Sequence, residues 1–582
     1  MDIKTIKTDI LILGSGGAGL FAALHAYRAN PELKITVAVK GLLGKCGCTR
    51  MVQGGYNVAL NPGDSVERHY MDTIEGGYWI SNQELAWRLV ETAPERVLEL
   101  ENEVGCFFDR NSDGSLHGKA FAGQTFDRTI HKGDLTGIEI INRLAEQVWS
   151  RPIDRLEDHR AIELIPSVAA DRIAGVLMIN IRTGEPLFVQ AKAVLLGTGG
   201  GPSMYRYHTP SGEKSSDGLA MALRAGLNLR DIEMVQFHPT GLLAGADTRL
   251  TGTVLEEGLR GAGGHLLNGK GERFMHQYDE RGERATRDVV SRSIFREMIQ
   301  GNTTVNGGVH ISMGHLDNDS VRKQFKGMVS RCGDVGADLV NGLVEVVPTA
   351  HYMMGGVEVS IDCETQLPGL FCAGEDAGGV HGANRLGGNG VANSTVFGGI
   401  AGDVMGEWVG REGVFADPDE QLIQSSLELM NTPFIATPGD LPALRQRLLD
   451  VMWEDAGIIR TQEGLERAYT QVQSIARELL ETGITSDERI YNQTWHDWMN
   501  LHSQIAVSAA IIKAAQIRKN SRGAHFRDDY PSQGDLDTTT YTRVSMVDDV
   551  VTVTEVPVEF THIRPGHSLL DEDSDNTSGA TQ

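Results

Sequence analysis

The first regular pattern along the chain is a short apolar run, Ile10-Leu11-Ile12-Leu13, which reads as a buried strand. Gly14-Ser15-Gly16-Gly17-Ala18-Gly19 follows at once, then helical spacing over 20–29 and a second apolar strand at 35–39. This places G-x-G-x-x-G between a strand and a helix, the context in which glycines admit a pyrophosphate to a helix N-terminus. Residues 41–60 read as a loop, and helical spacing returns over 84–103 and from Asp134, placed as a cap, to about Trp149. Residues 161–189 alternate as a small antiparallel sheet would. Another buried strand at 192–197 ends in Thr198-Gly199-Gly200-Gly201. A helix at 219–225 opens at Ser216-Asp217-Gly218, with Asp217 placed to cap it, to bond a cofactor hydroxyl, or both. A strand at 370–373 leads into Gly374-Glu375-Asp376, and a helix spans about 391–408. Residues 440–518 keep helical periodicity with few glycines, which reads as a bundle with Trp453, Trp495 and Trp498 in its core. Residues 521–531 form an ordered loop, 550–560 alternate as a strand, and the acidic stretch 571–582 is expected to be disordered.

Length and charge narrow the class. A chain of 582 residues exceeds one ordinary core, and 69 glycines fit an α/β protein with many tight turns. The balance of 53 basic against 78 acidic residues, a net charge of −25, opposes a nucleic-acid or anionic-membrane partner. No apolar run reaches spanning length, so direct membrane insertion is not expected. The six cysteines include one close pair, Cys46 and Cys48, so neither a zinc site nor an iron–sulfur cluster is written here, and a reducing, cytoplasmic compartment is the default.

Charged residues concentrate among glycines at 234–292: Gln236-Phe237-His238-Pro239-Thr240-Gly241, Glu256-Glu257-Gly258-Leu259-Arg260-Gly261 and Arg287-Asp288. A packing core has no use for that mixture, whereas a site that holds an anion and moves a proton does. Two more glycine-rich segments follow, His351-Tyr352-Met353-Met354-Gly355-Gly356 and His381 through Gly390, the latter containing Arg385. Taken alone, His351 also reads as a satisfied core histidine and Arg385 as a surface ion pair.

Assembled in order, these motifs resemble the flavoprotein subunit of the succinate dehydrogenase/fumarate reductase family, L-aspartate oxidase included. The likeness runs from the Gly14 turn through Gln53-Gly54-Gly55, His238-Pro239-Thr240-Gly241, Arg287-Asp288 and the His351 and His381 segments to 521–531. Residues 274–284 are similar to aspartate oxidases, and Tyr352-Met353-Met354 to succinate dehydrogenases. The resemblance implies an α/β fold: a doubly wound FAD-binding domain (1–241 and 346–415), an inserted α+β capping domain (242–345), a C-terminal helical domain (416–525) and a terminal segment (526–582). It implies FAD contacts at Gly14, Gly16, Gly17, Ala18, Gly19, Lys40, Cys48, Thr49, Gln53, Gly54, Gly55, Asp217, Glu375, Asn389, Gly390 and Val391. Lys40 stands where a simple dinucleotide fingerprint has a carboxylate, as the family does.

For chemistry, the resemblance implies that His238, His351 and Arg385 hold a small dicarboxylate, with Phe121 packed beside it. Arg287 would exchange a proton with the substrate carbon, supplied by a relay of Glu257 and Arg260. The expected reaction interconverts a succinate-like acid and its unsaturated form by hydride transfer at FAD. The alternatives are an L-aspartate oxidase-like amino-acid oxidase, or a flavin electron-transfer subunit working with an iron–sulfur partner, which would also be the route to any membrane association. Three positions depart from the family. Cys48 stands where members with covalent FAD have His, so non-covalent FAD is expected, with a cysteinyl link as the chemical alternative. Glu256 replaces a carboxylate-binding Thr. An inward-pointing anion there would repel a substrate carboxylate, which opens the site to an acid carrying a hydroxyl, an amine or an altered tail. Gly390 replaces a Ser beside the flavin.

Overall fold

A computed structural model describes residues 3–570 apart from 246, 247, 249 and 549; the acidic stretch 571–582 lies outside the described residues. The main sheet has seven strands. Lys4–Leu13 lies at its centre, paired in parallel with Ile35–Ala38 on one side and Pro186–Leu196 on the other. Asp154–Leu156 extends it in parallel beyond Ile35–Ala38, and Leu370–Cys372 pairs in parallel with the end of Pro186–Leu196. Ile10, Leu11 and Ile12 are fully buried because helices cover both faces.

The region 161–189 corrects the sequence reading. Its strands, His159–Pro166 and Ile173–Asn180, are antiparallel but belong to this main sheet, through Pro186–Leu196. The strand expected at 192–197 is the second half of Pro186–Leu196, buried along most of its length. Alternation is lost because both faces are covered. The helix expected over 84–103 is α-helical over Gln83–Glu99 and widens into a π turn over Leu100–Val104. Two expected caps also differ. Leu135, not Asp134, holds the cap position of Thr136–Trp149, and Ser216 that of Asp217–Arg224; neither uses a side-chain cap bond.

Two long strands carry the chain out of and back into this layer. Val235–Leu242 and Leu343–Met353 pair antiparallel and join Val309–Ser312 and His265–Leu267 in a four-stranded sheet. Residues of 242–346 form their own apolar cluster around Leu259, Phe274, Ile294 and Phe325.

The helices Glu420–Ile435, Leu441–Glu454, Gln462–Glu481 and Gln493–Ile517 follow. Trp453, Trp495 and Trp498 are buried, in a cluster continuous with one face of the main sheet. Trp453 meets Phe237 and Phe295 edge-on. The strand expected at 550–560 is Val550–Pro557, half of a hairpin with Thr540–Val547 that pairs onto Leu229–Arg230.

Candidate active site and cofactor cradle

The turn at Gly14 is fixed by backbone. Its φ is +108°, a conformation that favours glycine, and a Cβ there would collide with the Gly197 carbonyl. A Cβ at Gly19 would likewise meet the Gly14 carbonyl, so Gly19 serves helix-on-strand contact and lines neither cavity. The helix Gly17–Ala29 starts inside the motif with no side-chain cap. Thr49 Oγ1 accepts from Gly17 N–H at 3.0 Å.

Two cavities meet at this helix start. A smaller one, about 80 Å³, runs past Gly14, Lys40, Cys46 and Asp217. A larger one, about 410 Å³, continues over Gly16, Gly17, Ala18, Cys48, Thr49, Gln53, Gly54, Gly55, Glu375, Gly390 and Val391 to Phe121, His238, Glu256, Glu257, Arg287, His351 and Arg385. Gly16, Gly197, Gly199 and Lys214 line both. A glycine-lined channel with a polar end, an open helix N-terminus midway and a broad chamber beyond fits the elongated FAD that the motifs imply. Glu375, half-buried, accepts from Met353 N–H at 3.0 Å and is placed to receive hydroxyl donors. Burial pushes its carboxyl above the ordinary range. Burial raises the Cys48 thiol to about 12.

Three of the expected cofactor residues are also engaged within the protein. Lys40 and Asp217 do line the smaller cavity, but Lys40 Nζ donates to Asp217 at 2.9 Å and to Asn500 at 2.8 Å. Arg160 takes the other Asp217 oxygen at 2.7 Å. Their charges are spent mainly on each other, tying the helix Gln493–Ile517 to the cavity floor. Asn389 does not face the cavity. Its amide is used by Asn57, His69 and Thr73 at 2.7, 2.9 and 3.1 Å.

The chamber is built around two irregular strands. His351 is the extra residue of a bulge in Leu343–Met353, where Tyr352 and Ala350 pair with Gln236 and Phe237. Pro239 and Pro348, lacking N–H groups, break the ladder beside His238. The two imidazoles come within 5.5 Å, centroid to centroid. Thr209 Oγ1 meets His351 Nδ1 at 2.9 Å, and Thr240 N–H donates to His238 Nδ1 at 3.3 Å. Burial first, then Arg287, hold both rings well below 6.5, so both are neutral hydrogen-bonding groups.

Arg287 opens the helix Arg287–Ile299. Its Nε and Nη2 donate to Glu257 Oε2 at 2.9 and 2.7 Å, and its Nη1 to Gln236 Oε1 at 3.0 Å. Arg260 Nη2 lies 3.4 Å from the other Glu257 oxygen. Burial favours a neutral Glu257, but Arg287 and Arg260 outweigh it and keep the carboxylate ionised. Arg260 does not line the chamber. Arg385 stacks on Tyr352 at 4.4 Å, and burial, then Arg287, lower it to about 10. Gly390 makes room for it: a Cβ there would lie 3.0 Å from Arg385 Nη1. Phe121 packs against the Cα positions of Gly54 and Gly387.

Gln236 was not singled out from sequence, yet it is a hub. Its amide nitrogen donates to the Arg385 carbonyl at 2.7 Å while its oxygen holds Arg287. Its place in the Gln-Phe-His-Pro motif was the available signal. Lys119, Lys214 and Arg331 had none. Lys119 Nζ pairs with Glu256 Oε1 at 2.9 Å, so Glu256 is not the bare anion the sequence suggested. Arg331, from the helix Lys326–Gly333, lines the same wall and donates to Val254 O at 2.9 Å.

Residues 9–391 match the FAD binding domain family, and residues 445–569 match the family described as fumarate reductase flavoprotein C-term. An uncharacterized FAD-dependent oxidoreductase of Methanocaldococcus jannaschii is 41% identical, over 90% of this chain and 94% of its own. A fumarate reductase (CoM/CoB) subunit from Methanothermobacter marburgensis is 37% identical, over 91% of this chain and 96% of its own. The solved structure of quinol fumarate reductase FrdA from E. coli superposes with a TM-score of 0.91 at 30% identity, covering 97% of this chain and 99% of that one. With its glycine cradle, its paired histidines and its buried arginines in the same frame, the chain belongs to the FAD-dependent fumarate reductase/succinate dehydrogenase flavoprotein family.

Proposed function

We propose that the chamber holds a small dicarboxylate against FAD and interconverts its saturated, succinate-like form and its unsaturated, fumarate-like form. The observation that carries this reading is the convergence of Arg287 and Arg385 with two neutral histidines on one chamber wall, beside the glycine cradle. Arginine forks a carboxylate through two N–H groups, and a neutral imidazole adds a donor without adding charge. FAD, held non-covalently in this reading, supplies the two-electron step when bound.

The side chains of the chamber do the rest. Arg385 and the histidines fix the acid, and Phe121 closes one side, so the carbon next to the reacting one is presented to Arg287. Arg287 then gives or takes the proton on that carbon. Glu257 bridges Arg287 and Arg260 and carries the proton between them. Gln236 keeps Arg287 from rotating off the substrate.

Relatives of this chain are named as subunits, which supports an electron-transfer partner here, an iron–sulfur protein in our reading. The test is an anaerobic titration of the FAD-loaded chain. Succinate should bleach the oxidised flavin, and fumarate should restore colour to dithionite-reduced protein. Bleaching by L-aspartate alone would replace this reading with an amino-acid oxidase.

A further inference from the structure

One wall of the chamber is at odds with the rest. Glu256 lines it with a side chain only 2% exposed. Lys119 takes its Oε1 at 2.9 Å, and Oε2 has no partner among the described residues. A buried acceptor left so is costly unless a donor arrives or the oxygen carries its own proton. The neighbours come from four directions. Lys119 approaches from the strand Gly118–Lys119, Asp134 from the turn before Thr136–Trp149, and Glu257 from the next position. The helix Lys326–Gly333 adds Arg331 on the same wall, and Met328 Sδ accepts from Glu256 N–H. Burial disfavours the Glu256 anion, Lys119 favours it, and Asp134 and Glu257 oppose it; the balance lies above the ordinary carboxyl range.

A ligand carboxylate entering this space brings one more negative charge against an already disfavoured one. We propose that Glu256 is a specificity residue that binds the dicarboxylate as a neutral acid. It takes up one proton from solvent as the ligand enters, and Oε2–H donates to a ligand carboxylate. The Glu256–Lys119 pair then changes from net zero to net positive. The Lys119 ammonium, no longer neutralised, adds its charge to that of the chamber arginines. A charge-neutral ligand of the same shape would leave the pair ionised and gain nothing from it. This inference rests on the dicarboxylate reading above.

The test is calorimetric titration of the oxidised, FAD-loaded protein with fumarate, in two buffers of different ionisation enthalpy at pH 8. Oxidised flavin cannot reduce fumarate, so binding is read without turnover. The wild type should take up about one proton per site, and its Kd should rise about tenfold per pH unit in the alkaline direction. Glu256→Gln keeps a donor in place and should bind fumarate with no uptake at that position and a flat pH profile. Its flavin spectrum reports correct folding. Equal proton stoichiometry and equal pH slopes in both proteins, with fumarate still bound, would overturn the inference and leave the functional reading standing. No binding heat and no flavin perturbation in the wild type would overturn both.

Discussion

Arg287 and Arg385 share a chamber but are asked to do different things. Arg385 has a stacked ring and a backbone tether, a geometry for holding. Arg287 has a carboxylate on two of its nitrogens and a second arginine behind that carboxylate, a geometry for moving a proton. Replacing Arg287 by Lys keeps a cation but cannot reach Glu257 and Gln236 together. Arg287→Lys should therefore lower kcat for fumarate reduction by about 10²–10⁴-fold with KM changed only a few-fold, in steady-state assays with an artificial electron donor. Arg385→Lys should instead act mainly on KM. The glycine-rich charged stretch marked His238 and Arg287 as candidates by itself, and the family resemblance added His351 and Arg385, which taken alone also read as a core histidine and a surface ion pair. Lys119 and Arg331 look like ordinary surface cations in the sequence. A two-residue strand brings Lys119 to Glu256 and a short helix of the inserted region brings Arg331 to the cavity wall, and no local pattern foretells that.

At the scale of elements, the cavity floor depends on contacts between distant segments. Asp217 joins Lys40, which follows the strand Ile35–Ala38, to Arg160 within His159–Pro166, beside Asn500 of the helix Gln493–Ile517. Burial opposes its ionisation, but Arg160 and Lys40 pull its carboxyl well below the ordinary range. A carboxyl depressed in the folded state adds stability above its unfolded pKa of about 3.9, and that stability is lost as pH falls toward the folded value. Asp217→Asn should thus lower the urea midpoint clearly at pH 7, and the gap from wild type should narrow as the solution is acidified below about pH 4. The sequence pointed to Asp217 as a cap or a cofactor ligand because it opens a helix. The partners that claim it lie 177, 57 and 283 positions away (Lys40, Arg160 and, through Lys40, Asn500). Asn389 is likewise engaged by distant partners, Asn57, His69 and Thr73. The apolar strands and the glycine turn were legible, since period and turn chemistry are local. The merging of 161–189 into the main sheet was not, since it depends on what covers the second face.

Across the whole molecule, the end of the last helix and the terminal segment complete what the first half leaves open. Arg518 bridges Asp231 and Glu233 at 2.8 and 2.6 Å, and Thr542 of the hairpin caps both carboxylates. Gln83 is held by the backbone of His562 and Ile563, and Trp87 stacks on His562. Truncation after residue 525 would strip one Thr542 donor from each of two buried carboxylates, a loss on the order of 1.5–3 kcal/mol per hydrogen bond. The truncated chain should have a sharply reduced soluble yield and should lose FAD on gel filtration, read from the flavin absorbance of the protein peak. With a net charge of −25 around a chamber of buried arginines, the proposed dicarboxylate would be captured by local charge rather than by the molecule's overall field.

The central claim is that a fumarate-like acid accepts electrons in this chamber and its proton comes from Arg287. It is tested most directly by rapid mixing of the anaerobically reduced, FAD-loaded protein with fumarate, following flavin colour and assaying succinate. The account expects the wild type to reoxidise with one succinate formed per flavin, and Arg287→Lys to bind fumarate yet reoxidise slower by orders of magnitude. Reduced wild type that ignores fumarate while dioxygen reoxidises it would contradict the assigned reaction. An Arg287→Lys variant that reoxidises at the wild-type rate would contradict the assigned proton donor.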